Sequence, residues 1–156
     1  MGASFAHIGC LIDGPSCGVT ALGTAISLWR ASAGRLSLIH VGAPPEPGAL
    51  DVAAVLRRDD PGAAAREQLR ATARGIPGAE AVCLNGPAAD AVGAWAAGAG
   101  IDLLVVGSGT GDPPRAGRAR LVHDLAGHAP CPVLVVRPAL SRAPGELRAA
   151  GAAAPG

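Results

Sequence analysis

The chain has 156 residues, enough for one domain with a sizeable core, and a net charge of +1. That balance, without a broad basic face, argues against sequence-independent nucleic-acid binding. No apolar run is as long as a membrane span, and no charged n-region precedes an apolar stretch at the N-terminus, so the expected compartment is the cytoplasm.

Only 2% of residues are aromatic while 49% are hydrophobic, so the core must be built from Ala with Leu, Val and Ile. His7–Ile12 reads as a first strand, followed by the turn Asp13-Gly14-Pro15, with Ser16 as a helix N-cap. A helix is predicted over Gly18–Ala33, where Leu22, Ala25, Ile26 and Trp29 recur at helical spacing and should face a sheet. Gly34 is expected to close it in the αL conformation. Arg35–Val41 is the second strand, and the three prolines of 42–50 make that segment a loop. Asp51–Arg58 reads as a short helix, and Pro61–Arg74 as a longer one with Gly75 past its end. Ala79–Leu84 is the third strand. Pro87–Gly98 is the next helix, with Asp90 in its first turn and Val92 and Trp95 directed inward. Leu103–Val106 is a continuous apolar run, as suits a strand buried on both faces of a parallel sheet. Arg118–Ala126 is the last helix and Val133–Val136 the fifth strand. Residues 139–156, rich in Ala, Pro and Gly, lack periodicity and read as a disordered tail behind a domain of residues 1–138.

Strands alternating with helices imply a doubly wound α/β fold: five parallel strands with helices on both faces. Gly107-Ser108-Gly109-Thr110-Gly111 follows the fourth strand at its C-terminal end. Open α/β sheets bind ligands at that edge, and glycines let backbone N–H groups approach a phosphate.

Cys10, Cys17, Cys83 and Cys131 show no CxxC or zinc-ligand spacing. Cys10, Cys83 and Cys131 read as small buried hydrophobes, whereas Cys17 falls near a helix start, where the dipole can lower a thiol's pKa. His40, at a strand end, reads as structural. His123 and His128 are five residues apart, off a shared helix face, so no metal site is assigned, and Asp124 reads as a solvated helix surface. No catalytic base or Ser-His-Asp arrangement can be argued from spacing.

The segments Ile101–Ser108 (IDLLVVGS) and His128–Arg137 (HAPCPVLVVR) resemble the universal stress protein family. So do Asp13-Gly14 after the first strand, His40-Val41 at the end of the second, and the Gly86–Asp90 helix opening. The resemblance spans roughly residues 7–138 and implies strand order 3-2-1-4-5, with a crevice between strands 1 and 4 where Asp13 and Gly107 should meet. It implies ATP, with Mg²⁺, as ligand. Asp13, beside Gly14, would face adenine and ribose, and the Val41 backbone would read the base. A glycine-rich pattern after strand 4 would hold phosphates. It also implies a homodimer formed through the last strand.

The chain departs from the family's phosphate pattern. Gly107 matches the first glycine, and the second falls on Gly109 or Thr110. The closing Gly-Ser/Thr pair lands on Ala119-Arg120 or on Gly117-Arg118, so an Arg replaces the hydroxyl, and Pro113-Pro114 removes two amide donors. Two readings follow: Arg118 or Arg120 compensates by pairing with phosphate, or the loop is a degenerate connector with solvated Arg side chains. The corresponding functions are a nucleotide-responsive regulatory protein, at most a slow ATPase, and a dimeric interaction module without nucleotide. An ATP-pyrophosphatase-like enzyme would need a Ser-Gly-Gly-x-Asp-Ser loop after strand 1, which Asp13–Gly18 does not supply. A flavoprotein would rest on fold alone.

Overall fold

The computed structural model describes residues 4–12, 15–42, 62–108 and 116–137. The turn at Asp13-Gly14, the expected short helix at 51–58, the Gly109–Gly111 segment and the tail at 139–156 lie outside them. The elements are β1 (His7–Leu11), α1 (Pro15–Ser32), β2 (Arg35–Gly42), α2 (Ala63–Arg74), β3 (Ala79–Asn85), α3 (Ala88–Ala99), β4 (Leu103–Gly107), α4 (Ala116–His128) and β5 (Val133–Val136). The five strands form one sheet in order β3-β2-β1-β4-β5, and all four pairings are parallel.

Alternation along the strands sends side chains to two cores. Ile8, Cys10, Leu36, Leu38, Leu103 and Val105 pack with Ala21 and Ala25 of α1 and Leu69 and Ala73 of α2. Leu11, Ile39, Leu104 and Val106 pack on the other face with Val92 of α3 and Leu125 of α4. β1 and β4 are buried along their whole length, as central strands covered on both faces must be. The Asp102 carboxylate holds the lower ends of these two strands together. It accepts from the backbone N–H groups of Ala6 at 2.7 Å and His7 at 3.0 Å, while the Asp102 N–H donates to the His7 carbonyl at 3.0 Å.

The expected faces hold. Ala25 is fully buried, and Leu22, Ile26 and Trp29 pack against the same core. Val92 is fully buried and Trp95 packs beside it.

Three local expectations are corrected. α1 starts at Pro15, so Ser16 lies inside the helix rather than capping it; proline's fixed φ suits a first helical position. The residue with positive φ after α1 is Ala33, at 52°, not Gly34. Gly34 is needed for space instead: a Cβ there would lie 2.3 Å from the Phe5 carbonyl oxygen and 2.7 Å from that of Ala6. The αL closure occurs at Gly100 after α3, with φ of 68°. α4 begins at Ala116 and runs to His128, two residues beyond the expected range at each end, which puts Arg118 inside its first turn.

Cys10 is fully buried, and burial pushes its thiol up to about 12. Cys83 and Cys131 are only partly buried, because β3 is an edge strand and Cys131 precedes the edge strand β5. Cys131 is also shifted up, first by desolvation and then by the Asp102 charge.

Candidate functional site

The order of the sheet puts β1 between β2 and β4, and connections leave it in opposite directions there. A crevice opens at such a switch point, outside the carboxyl ends of the strands. Leu11 is in register with Ile39 on one side and Val106 on the other. Ile12 then donates its N–H to the Ile39 carbonyl at 2.8 Å. β1 therefore ends level with the tips of β2 and β4. Asp13 and Gly14, which follow, are outside the described residues, as are Gly109 and Thr110.

Val41, Gly107, Gly117, Arg118 and Arg120 are described. Val41 sits at the end of β2 opposite Leu84 and packs partly into the core shared with α3 and α4. Gly107 is the last residue of β4 and is buried. Its neighbour Ser108 donates its backbone N–H to the Val136 carbonyl at 2.8 Å, and its hydroxyl oxygen is buried without a hydrogen-bond partner among the described residues. Ser108 was legible in the sequence only as the residue after Gly107; the buried hydroxyl could not have been read there. Gly117 is exposed in the first turn of α4.

The two arginines separate sharply. Arg118 is 7% exposed, and its Nε donates to the Gly107 carbonyl at 3.2 Å. The expectation of a solvated side chain is corrected for Arg118: β4 presents a carbonyl within reach of the first turn of α4, and the guanidinium takes it. Arg120 is 85% exposed on its side chain and lies 3.7 Å from Asp124, one turn along α4. Asp124 is thus an ion-pair partner, and its carbonyl also accepts from His128 Nδ1 at 3.0 Å.

A cavity of about 440 Å³ lies beside this edge, between α1 and α2. Ile12, Leu22 and Leu69 supply apolar wall, and His40, Gln68 and Thr72 supply polar groups. His40 Nδ1 approaches the Ile12 carbonyl at 3.4 Å, the structural role expected of it. Sequence spacing assigns α2 no part in a site. The available signal was Gln68 and Thr72, polar residues four apart on one helix face. Among the described residues, no group of three His, Cys, Asp or Glu side chains is placed to hold a metal, and no helix is long and apolar enough to cross a membrane.

The profile of the universal stress protein family matches residues 4–137, nearly all of the chain. The chain belongs to that family. Solved structures agree in fold with this universal stress protein. The universal stress protein UspA from Lactobacillus plantarum is 23% identical with a TM-score of 0.73, over 87% of this chain and 100% of its own. A universal stress protein in complex with cAMP is 26% identical with a TM-score of 0.58, over 86% of this chain and 98% of that one. The universal stress protein from Archaeoglobus fulgidus in complex with dAMP is 17% identical with a TM-score of 0.59, over 85% of this chain and 98% of that one. No curated protein sequence matches the chain.

Proposed function

We propose that this universal stress protein binds an adenine nucleotide at the carboxyl edge of β1 and β4 and acts as a cytoplasmic, nucleotide-responsive regulatory protein, with little or no hydrolysis. The observation that carries the reading is the β1–β4 switch point, where the glycine-ended strand β4 leaves the buried Ser108 hydroxyl without a described partner. Two relatives of the same fold, seen with cAMP and with dAMP, support it. Asp13 would accept from the ribose, the Val41 backbone would read the base, and the chain after Gly107 would approach the phosphates, with Mg²⁺ arriving on the triphosphate. The residues present suit an anion: a buried hydroxyl and the N-terminus of α4 lie at the end of β4. No residue is assigned as a catalytic base.

A second reading has its own observation. The Arg118 guanidinium is engaged on a protein carbonyl, and the edge strand β5 exposes Leu134 and Val135. These favour a module that works through a homodimer formed by β5, without nucleotide.

Calorimetry with ATP and Mg²⁺, and with AMP and cAMP, separates the two. Under the first reading, Asp13→Ala weakens every adenosine ligand, and Gly107→Val abolishes binding because a branched side chain blocks the backbone. Loss of a charge-assisted phosphate contact at Arg118 or Arg120 weakens ATP about tenfold to a hundredfold, for about 1.5–3 kcal/mol. No heat at millimolar ligand with folded protein rules out a working nucleotide site and favours the second reading.

A further inference from the structure

At the opposite edge of the sheet, three side chains from three adjacent strands form one hydrogen-bonded line. His7, 3% exposed, opens β1; Ser37, fully buried, lies on β2; Glu80, half-exposed, lies on β3 in register with Ser37. His7 Nδ1 is 3.1 Å from the Ala99 carbonyl, and Nε2 is 2.7 Å from Ser37 Oγ. Ser37 Oγ is also hydrogen-bonded to Glu80 Oε1.

Counting protons along this line gives a definite result. A carbonyl only accepts, so Nδ1 carries a hydrogen. In a neutral imidazole Nε2 is then an acceptor, and an ionised Glu80 is also an acceptor. Ser37 has one hydroxyl proton to offer between them. The three contacts need three hydrogens, and neutral His7 with ionised Glu80 supplies two, so one contact, in the buried His7–Ser37 pair or at the part-buried Glu80, would face lone pair to lone pair. One added proton removes the conflict: with hydrogen on both ring nitrogens, Nε2 donates to Ser37 Oγ and Ser37 donates to Glu80 Oε1. We propose that the folded protein holds this extra proton near neutral pH, as a His7 imidazolium joined through Ser37 to a Glu80 carboxylate, and that this proton-dependent clasp fastens the edge strand β3 to β2 and β1.

The surrounding charges suit that distribution. The Asp102 carboxylate accepts from the His7 backbone N–H at 3.0 Å and favours a cation there. Arg35 Nη2, on β2, lies 3.5 Å from Glu80 Oε1 and favours the carboxylate. Cys131, whose thiol is pushed up by desolvation first and by the Asp102 charge second, stays protonated and adds no charge. α3 offers the Ala99 carbonyl and the Trp95 ring, whose centroid is 6.3 Å from that of His7 at 78°. Its one charged residue, Asp90, is in its first turn, at the far end from Ala99. α4 directs Arg118 to Gly107 at the other edge, pairs Arg120 with Asp124, and bonds His128 to the Asp124 carbonyl; its remaining titratable residue, His123, is exposed. Glu80 is the route by which solvent reaches the line. The clasp lies at the edge of the sheet opposite the proposed nucleotide site and forms with or without nucleotide.

Nitrogen-15 NMR of the full-length protein reads the ring directly. Near neutral pH, wild-type His7 is expected to show both ring nitrogens protonated. In Glu80→Gln the side-chain amide can donate to Ser37, Ser37 can donate to Nε2, and His7 is expected to turn neutral at the same pH. A neutral wild-type His7, or the same His7 charge state in wild type and Glu80→Gln, overturns the proposal. Unfolding measured against pH gives a second readout. Because the native clasp binds one proton that the unfolded chain lacks, wild-type stability falls as pH rises through neutrality, and Glu80→Gln loses that slope. Equal slopes overturn the proposal as well.

Discussion

The Arg118 Nε–Gly107 carbonyl bond, 3.2 Å long, ties the first turn of α4 to the last residue of β4 at the edge where a ligand would bind. The same side chain cannot be read as a free surface charge, since only 7% of the residue is exposed. Removing it leaves a buried carbonyl without its charged donor.

Arg118→Ala should therefore destabilise the fold by about 1.5–3 kcal/mol, the scale of a hydrogen bond to a charged group. Arg120→Ala removes only an exposed pair one helical turn long and should stay within about 0.5 kcal/mol. Urea unfolding of the two variants side by side checks the contrast. Equal effects would show that the burial of Arg118 does not matter to stability.

Gly34→Ala tests the close approach between the end of α1 and the strand entering the sheet. The added methyl would meet the Phe5 and Ala6 carbonyl oxygens at 2.3 and 2.7 Å, and both are backbone atoms. The expected loss is about 1–3 kcal/mol, as for overpacking that forces backbone to shift. Gly23→Ala, in the middle of α1 with nothing within 4 Å of the new carbon, should be neutral or slightly stabilising. Thermal melts of both variants decide it.

Cys10 should resist thiol reagents in the native state. Burial pushes its thiol up to about 12, so the reactive thiolate is scarce at pH 8. The folded chain keeps this proton after an unfolded cysteine, near 8.5, has released its own. The contribution is complete below that pH and is lost as pH rises toward 12. Cys10→Ala should thus flatten the alkaline limb of the stability curve. Rapid native labelling at Cys10, located by mass spectrometry, would contradict the burial.

Val135→Asp probes the proposed dimer. Leu134 and Val135 are 36% and 37% exposed on an edge strand, an apolar strip that invites strand pairing. Sedimentation should show wild-type dimer and variant monomer at the same concentration. A wild type that is monomeric at high micromolar concentration would remove β5 as an interface.

The sheet was legible because its signals are local. The Leu103–Val106 run, the helical spacing of Leu22, Ala25, Ile26 and Trp29, and the Gly and Pro breaks each report on a few neighbouring residues, and their alternation leaves one fold class. The strand order came with the family resemblance rather than from the spacing. Of the candidate site, the sequence located Gly107 and the two arginines but could not rank them. Arg118 and Arg120 are two residues apart on a helix, so they face different ways, and only the packing of α4 against β4 decides which is buried.

By itself, then, the sequence determined the order and type of the elements and the edge at which glycine gathers. Tertiary structure decided the rest, because the deciding contacts join residues far apart in the chain. Gly34 is small to admit the carbonyl oxygens of Phe5 and Ala6, not to reach a positive φ. The line His7–Ser37–Glu80 spans three strands, with residues 30 and 43 apart in sequence, and no periodicity announces it. Burial is the physical reason for both: a side chain's options narrow only when other parts of the chain take away its water.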